Sequence, residues 1–462
     1  MKEQVKQIHF VGIGGVGMAG IAEVCLNLGY IVSGSDLKHN PTVARLESLG
    51  ALIQLGHEAD HVKNTDVVVV STAIGAGNAE VDWARSTRIP VIPRAEMLAE
   101  LMRMRFGIAI AGTHGKTTTT SLAASVLTQG GIDPTFVIGG KLNQVGSNAR
   151  LGSSRYLVAE ADESDASFLH LSPMMSVVTN IDEDHMETYQ GDYQNLENTF
   201  IEFIHRLPFY GMAIMCIDDE NIQKILPKLS RKVLTYGFAE NADIRAINVT
   251  AKGLQMQFQV LVGRERSFDI TLNLPGKHNV LNALAAIAIA LKLDVSVEAI
   301  QQALNEFGGV GRRFEVYPER VIGNHTVTLV DDYGHHPTEL EATISTARDA
   351  FPEKRLVLVF QPHRYTRTRD LFDDFVQALM GPDLVILLDV YAAGEMPLPM
   401  FDSKSLLQAL RLRGEHGFYA DSLEQLDEIA KDVLHDDDVV LVMGAGDVGQ
   451  VAKNWHSVEE QV

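Results

Sequence analysis

Short apolar runs, glycine-bearing turns and helix-compatible stretches alternate along most of this chain. Residues 8–13 form the first run, followed by Gly12-Ile13-Gly14-Gly15-Val16-Gly17 and a helical pattern at 18–28. A second strand-like run, 30–33, ends in Gly34-Ser35-Asp36. Runs at 67–71 and 91–92 and a helix at 95–102 continue the alternation. Residues 108–111 form another apolar strand pattern. After it come Gly112-Thr113-His114-Gly115-Lys116-Thr117-Thr118 and a helix-compatible segment at 121–127. Further strands are expected at 156–159 and 176–179. From residue 243 the period drops to two. Leu254, Met256, Phe258 and Val260 alternate with polar residues, as do Phe268, Ile270 and Leu272, with a turn expected at Gly263-Arg264-Glu265. Gly308-Gly309-Val310-Gly311 reads as a hinge or linker. Beyond it, strands at 326–330, 355–360, 384–388 and 439–443 alternate with helices at 337–350 and 369–379.

Alternation of this kind predicts parallel sheets covered by helices. The expected fold class is α/β in three domains. A Rossmann-like N-terminal domain spans 1–105. A central P-loop ATPase-like parallel sheet with a small antiparallel sheet spans 106–311. A C-terminal Rossmann-like α/β domain spans 312–462. With 462 residues and 46% hydrophobic content the chain can bury several cores. Lys+Arg number 39 against 60 Asp+Glu, a net charge of −21. That balance disfavours a nucleic-acid or anionic-membrane surface but leaves small anionic ligands open. The two cysteines, Cys25 and Cys216, form no C-x-x-C pair, which argues against a disulfide framework or structural zinc. No signal-peptide pattern is visible at 1–7, and no apolar run approaches the ~18 residues of a membrane span. A cytoplasmic protein in a reducing compartment is expected.

The segment 106–120 carries the clearest chemistry. Strand, glycine turn, Lys-Thr and helix form the layout of a phosphate-binding loop, with amide N–H groups and a helix N-terminus facing an anion. Lys116 is placed for terminal phosphates and Thr117 for Mg²⁺. The loop is the shorter G-x-x-G-K-T form, because Ile110 stands where the longer form has glycine. Gly12 to Gly17 spells G-x-G-x-x-G with Asp36 as the later acidic residue. This nucleotide fingerprint does not select which nucleotide, and by itself is compatible with NAD. Glu160 ends a strand beside the loop, and Asp182-Glu183-Asp184-His185 follows another. Both are candidate metal ligands. Asn279 and Asn282 share a helix face; they are placed either to cap the helix or to bond a base edge. Asp331-Asp332-Tyr333-Gly334-His335-His336 and Gln361-Pro362-His363-Arg364-Tyr365-Thr366-Arg367 lie where strands end. Arg364 and Arg367 suit a carboxylate or phosphate. His335-His336 lacks a nearby third ligand for zinc. Gly444 to Gly449 repeats G-x-G-x-x-G, but the 13 remaining residues are too few for a second βαβ unit, so a turn facing the cleft is expected.

Together these motifs resemble the Mur ligase family of peptidoglycan precursor synthesis, and within it the alanine-adding branch. The resemblance covers essentially the whole chain. It rests on residues 8–23, 33–36, 111–120, 159–171, 179–189, 276–286, 308–315, 331–339, 361–368 and 389–395. It implies an ATP-dependent ligase acting on UDP-N-acetylmuramate and L-alanine, with Mg²⁺, two ions expected. Gly14, Gly15, Gly17, Ser35 and Asp36 would hold the UDP-sugar. Gly112, Thr113, His114, Gly115, Lys116, Thr117, Thr118, Asn279, Asn282, Arg313 and Asp332 would hold ATP. Lys116, Glu160 and His185 would be catalytic, with Thr117, Glu160 and His185 on metal. Tyr333, His335, Arg364 and Arg367 would form the amino-acid pocket. Later-acting members use a carbamylated lysine after the DHM motif. Here no lysine occurs between Lys141 and Lys224, as in the alanine-adding branch. The expected assembly is a monomer or weak homodimer, with neither nucleic acid nor membrane as partner.

Overall fold

The computed structural model describes residues 4–71, 73–144, 146–263 and 266–456. Three sheets carry the fold. The first contains β1 (Gln7–Val11), β2 (Ile31–Asp36), β3 (Leu52–Leu55), β4 (Val67–Val70) and β5 (Val91–Pro93). Their order is β3-β2-β1-β4-β5, all parallel. Strand order reverses at β1, so a crevice opens at its carboxyl end, where the glycine turn lies. The Ser35 carbonyl accepts the amides of Gly12 (2.9 Å) and Ile13 (3.0 Å), tying that turn to β2.

The second sheet contains β6 (Phe106–Ala111), β7 (Thr135–Leu142), β8 (Ser147–Arg150), β9 (Tyr156–Glu160), β10 (Met175–Val178), β11 (Met212–Cys216), β12 (Lys232–Gly237), β13 (Ile244–Lys252), β14 (Gln255–Val262) and β15 (Arg266–Leu272). The order is β15-β14-β13-β12-β11-β10-β6-β9-β7-β8. The alternating strands of the sequence are therefore continuous with the central sheet. They join it where Tyr236 and Gly237 pair in parallel with Ile244 and Arg245. Gly263 closes β14 at φ +61; the rest of the expected turn, Arg264 and Glu265, lies outside the described residues.

The third sheet contains β16 (Glu315–Ile322), β17 (His325–Asp332), β18 (Leu356–Phe360), β19 (Leu384–Leu388), β20 (Gly417–Ala420) and β21 (Val439–Met443), in the order β16-β17-β21-β18-β19-β20. Only β16 runs antiparallel to its neighbour. Two expectations change here. The helix expected at 369–379 is two helices, Tyr365–Asp370 and Phe372–Ala378, broken at Leu371 with φ −115°. The Gly444–Gly449 cluster opens a helix, Val448–His456, rather than ending in a turn.

The chain divides into two compact units. One holds Met1–Ile247, Val260–Asp269 and Leu281–Gly308; the other holds Asn248–Gln259, Ile270–Val280 and Gly309–Val462. Within the first, the helix Val16–Asn27 buries residues 18–25 on nearly every face. One side covers its own sheet. The other meets β7 and β8, where a Cβ on Gly20 would lie 3.3 Å from Val137 Cγ1 and Ala149 Cβ. A helix apolar all round is expected when both sides are covered.

Phe168 shows how the acidic segment after β9 is anchored. It is fully buried, stacked on Phe203 (centroids 4.6 Å apart) and edge-on to Phe200 (5.3 Å). Removing a ring from such a site leaves a cavity. Phe168→Ala is expected to destabilise the protein by ~3–5 kcal/mol. A shift of the urea midpoint read by fluorescence and circular dichroism checks it.

Candidate active site

Parallel register sets the central geometry. β6 lies between β9 and β10, with Ile110 opposite Glu160 and Ala111 opposite Val178. The loop after β6 is thus flanked by the carboxylate ending β9 and by the segment 180–185 following β10. Gly112 (φ +127) and Gly115 (φ +81) take left-handed conformations that a side chain would strain. Gly115 caps the helix Lys116–Gln129, and a Cβ there would lie 2.5 Å from Asn282 Oδ1.

Lys116 folds back over this loop. Its ammonium donates to the carbonyls of Gly112 (2.7 Å) and Thr113 (2.9 Å) and to Glu163 Oε1 (2.9 Å). Burial works against its charge, but Glu163, Asp162 and Glu160 outweigh that and raise its pKa. Burial pushes the Glu163 carboxyl up to about 7, although Lys116 opposes the rise. The Glu163 carbonyl accepts from the Tyr189 hydroxyl. Glu163 is absent from the sequence-based site, because only the folded chain brings it to Lys116.

The loop's other face is held by the segment after β10. His114 N donates to Asn180 Oδ1 (2.7 Å), and His114 Nε2 lies 3.0 Å from Asp182 Oδ2. Asp182 N donates to Thr113 Oγ1 (2.9 Å), and Thr179 Oγ1 donates to the His114 carbonyl (2.6 Å). Thr117 and Thr118 are buried in the first turn of the helix. Glu160 Oε1 accepts from Gly139 N (2.6 Å). His185 sits at φ +54, its Nε2 3.4 Å from Asp184 Oδ2. Asn279 and Asn282 both lie buried on the helix Lys277–Lys292. Asn282 Oδ1 accepts from Thr119 Oγ1 (3.1 Å), and Asn279 Nδ2 donates to the Pro275 carbonyl (2.7 Å).

At the first sheet's crevice, Gly14 N donates to Asp36 Oδ2 (2.9 Å), which draws the glycine turn and β2 together. Gly15 caps the helix Val16–Asn27, and a Cβ on Gly17 would have to displace the end of the Arg94 side chain. Ser35 is buried next to Asp36.

The second unit contributes its own cluster. Asp332 accepts from Phe314 N (2.8 Å) and Gly334 N (2.7 Å), and burial raises its pKa despite Arg313. Arg312 and Arg313 place their guanidinium carbons 5.3 and 5.1 Å from the Tyr333 ring centroid. Arg312 Nε lies 3.2 Å from both Asp331 oxygens, yet burial still pushes Asp331 up to about 6. A line of rings follows. Tyr333 meets His335 edge-on (5.6 Å), His335 lies 5.4 Å from His363, and His363 stacks on Tyr391 (5.4 Å). Arg367, buried, donates to the His363 carbonyl (3.1 Å). Arg364 reaches Glu395 at 3.8 Å. His336 accepts from Thr338 N (3.3 Å) and caps the helix Pro337–Ala350. His363, Tyr391 and Glu395 thus join the four expected pocket residues. Their signal in the sequence is only proximity to the arginine cluster and to the turn after β19.

Three family models match in succession: the Mur ligase family catalytic domain over residues 7–106, the Mur ligase middle domain over 110–290, and the Mur ligase glutamate ligase domain over 312–446. The chain belongs to the Mur ligase family. Among Mur ligases it is 76% identical over 456 residues to UDP-N-acetylmuramate–L-alanine ligase of Hydrogenovibrio crunogenus, covering 98% of this chain and 99% of that one. It is 59% identical to the enzyme of the same name from Methylobacillus flagellatus, covering 100% and 98%. The crystal structure of UDP-N-acetylmuramate-alanine ligase from Thermotoga maritima superposes with a TM-score of 0.83 at 28% identity, covering 98% and 99%. A murein peptide ligase from Psychrobacter arcticus matches at 0.71 and 25%, with the same coverage. Among the described residues no helix is long and apolar enough to cross a membrane.

His278 yields a pH prediction for this Mur ligase. Burial depresses its imidazole from the ordinary 6.5 to about 4, with Arg313 acting in the same direction and Glu339 against it. The unfolded chain takes up a proton that the folded protein refuses. Stability therefore falls as pH drops from about 6.5 towards 4, by at most about 1.4 kcal/mol per pH unit. His278→Gln is expected to flatten that acid limb in a series of thermal melts.

Proposed function

We propose that this Mur ligase joins L-alanine to the lactyl carboxylate of UDP-N-acetylmuramate at the expense of ATP. The observation that carries the reading is 76% identity to a UDP-N-acetylmuramate–L-alanine ligase over nearly the whole chain. The residues supply a chemical route. A carboxylate oxygen attacks the γ-phosphorus of ATP, the bond to ADP breaks, and an acyl phosphate forms. The alanine amine attacks the acyl carbon, gives up a proton, and inorganic phosphate leaves. Negative charge on the transferring phosphoryl group must be neutralised throughout, because the protein gains rate by stabilising charge as it develops.

Lys116 is the cation for that task. Nucleotide phosphates would replace its bonds to the Gly112 and Thr113 carbonyls, while the loop amides at the helix N-terminus hold the anion. Arg313 would contact a phosphate. Asp332 would take a ribose hydroxyl with the lone pairs left after its two amide bonds. Asn279 and Asn282 would face the adenine side. The hydroxyl of Thr117 and the carboxylate of Glu160 would hold Mg²⁺, which favours oxygen donors, and the imidazole of His185 would hold a second ion. Bound there, Mg²⁺ would supply charge neutralisation at the phosphates. The UDP diphosphate would rest on Gly14, Gly15 and Gly17, with Ser35 and Asp36 beside it. For the amino acid, Arg364 and Arg367 offer forked donors to its carboxylate, and Tyr333 and His335 line the pocket. The three sheets are taken as three domains, 1–105, 106–311 and 312–462, one for each substrate role.

Phosphate release with UDP-N-acetylmuramate, ATP and L-alanine, omitting each in turn, tests this reading. Release is expected only with all three, and release without alanine would defeat it. Replacing alanine with a free tripeptide separates it from the activity named for the murein peptide ligase. Lys116→Ala is expected to lower turnover at least ~100-fold with the fold intact by circular dichroism. Arg367→Lys keeps the charge but loses the fork. It is expected to raise the KM for alanine ~10-fold at unchanged KM for ATP, which initial rates will show.

A further inference from the structure

Behind the first glycine turn, four segments converge on one carboxylate. Glu80, the second residue of the helix Ala79–Ser86, is fully buried. Ser35 Oγ on β2 donates to its Oε2 at 2.6 Å. His57, just after β3, places Nδ1 3.0 Å from Oε2, and His61 places Nδ1 2.7 Å from Oε1. His9 on β1 brings Nε2 to 3.4 Å from Oε1, while its Nδ1 lies 2.9 Å from Ser33 Oγ. Ser35 Oγ and His57 Nδ1 are themselves 2.9 Å apart. Burial opposes ionisation of Glu80, but bonds from His9, Ser35 and His61 overcome it and hold the carboxyl at about 2.

An ionised carboxylate only accepts hydrogen bonds, so each group aimed at it must bring the hydrogen. Ser35 therefore spends its proton on Glu80. His57 and His61 carry theirs on Nδ1, and a neutral ring with Nδ1–H exposes a lone pair at Nε2. The His57 side chain is 16% accessible, whereas Ser35 and Glu80 are fully buried. Ser35 also carries the carbonyl that fixes Gly12 and Ile13, and its neighbour Asp36 fixes Gly14. The polarity set at Glu80 is thereby delivered to the side chains bordering the turn.

We propose that Glu80 is a positioning residue of the nucleotide-sugar site: by taking the Nδ1 proton of His57 it presents Nε2 of that ring as an acceptor to a ligand carrying N–H or O–H donors, such as a nucleobase imide or a sugar hydroxyl. This rests on the reading that the Gly12–Gly17 turn receives the UDP-sugar. Glu80, fully buried, does not touch the ligand; its effect passes through His57. A glutamine there keeps the shape but turns one acceptor into a donor, so at least one of its four contacts becomes donor against donor.

The experiment uses the full chain and UDP as the probe. Glu80→Gln is expected to weaken UDP binding at least ~10-fold by titration calorimetry, the worth of about one well-formed hydrogen bond. The KM for UDP-N-acetylmuramate should rise in parallel, with kcat and the KM for ATP unchanged. In the wild type, ¹⁵N spectra should show His57 protonated on Nδ1, with Nε2 shifting when UDP is added. A folded Glu80→Gln protein with unchanged UDP affinity overturns the proposal. So does a wild-type His57 protonated on Nε2 or unmoved by UDP, which decides the matter even if the variant fails to fold. Gly14→Val isolates the underlying reading, since a Cβ there would lie 2.8 Å from Asp36 Oδ2 and Asn40 Nδ2. If wild type and Gly14→Val bind UDP equally, or neither binds, the nucleotide-sugar assignment falls. If Gly14→Val loses UDP while Glu80→Gln keeps it, only the role of Glu80 falls.

Discussion

A buried ammonium group has to be satisfied before it can be useful, and much of the central site follows from how Lys116 meets that demand. Removing it from water costs several kcal/mol unless oxygen atoms replace the lost hydration. Two loop carbonyls and Glu163 do so. Gly112 and Gly115 shape that loop with left-handed backbone conformations that a side chain would strain. Glu163 arrives because β9 runs parallel to β6 and ends at the same level. The same register carries Glu160 to one side of the loop and Asn180 and Asp182 to the other. One cation, one glycine pair and one sheet register thus account for most of the contacts there.

The second unit solves a related problem with opposite charges. Asp331 and Asp332 are adjacent on β17 and buried, an arrangement that repulsion and desolvation both disfavour. Arg312 lies against the first and two backbone amides against the second. Tyr333 then shields both guanidinium groups with its ring face. In a chain of net charge −21, these local arrangements, rather than the overall field, create places that tolerate an anion.

Much of this was legible in the residues. The strands at 384–388 and 439–443 and the helix at 337–350 lie where their apolar patterns end, because both faces of a parallel strand are buried and the run is unbroken. The misses have equally physical causes. β3 and β20 are edge strands of only four residues each, too short to show a clear pattern. The break at Leu371 is a backbone event inside a continuous helical pattern. The helix beginning at Val448 was obscured by the shortness of the remaining chain. Within the site, the loop residues announce themselves by spacing, since they are consecutive. Glu163 with Lys116, His363 with Tyr391, and Glu80 with three imidazoles are separated in the chain and meet only through the fold.

The helix Val16–Asn27 has no free side. Gly20 is pressed against Val137 and Ala149, and Gly17 against Arg94. A rod gripped along its length cannot roll or slide without opening a void or a collision, and close-packed interiors resist both. The glycine turn at its head therefore inherits the stiffness of two sheets at once. Mutational drift along this helix should be confined to residues no bulkier than those present, with its tolerance set as much by the neighbouring sheet as by its own.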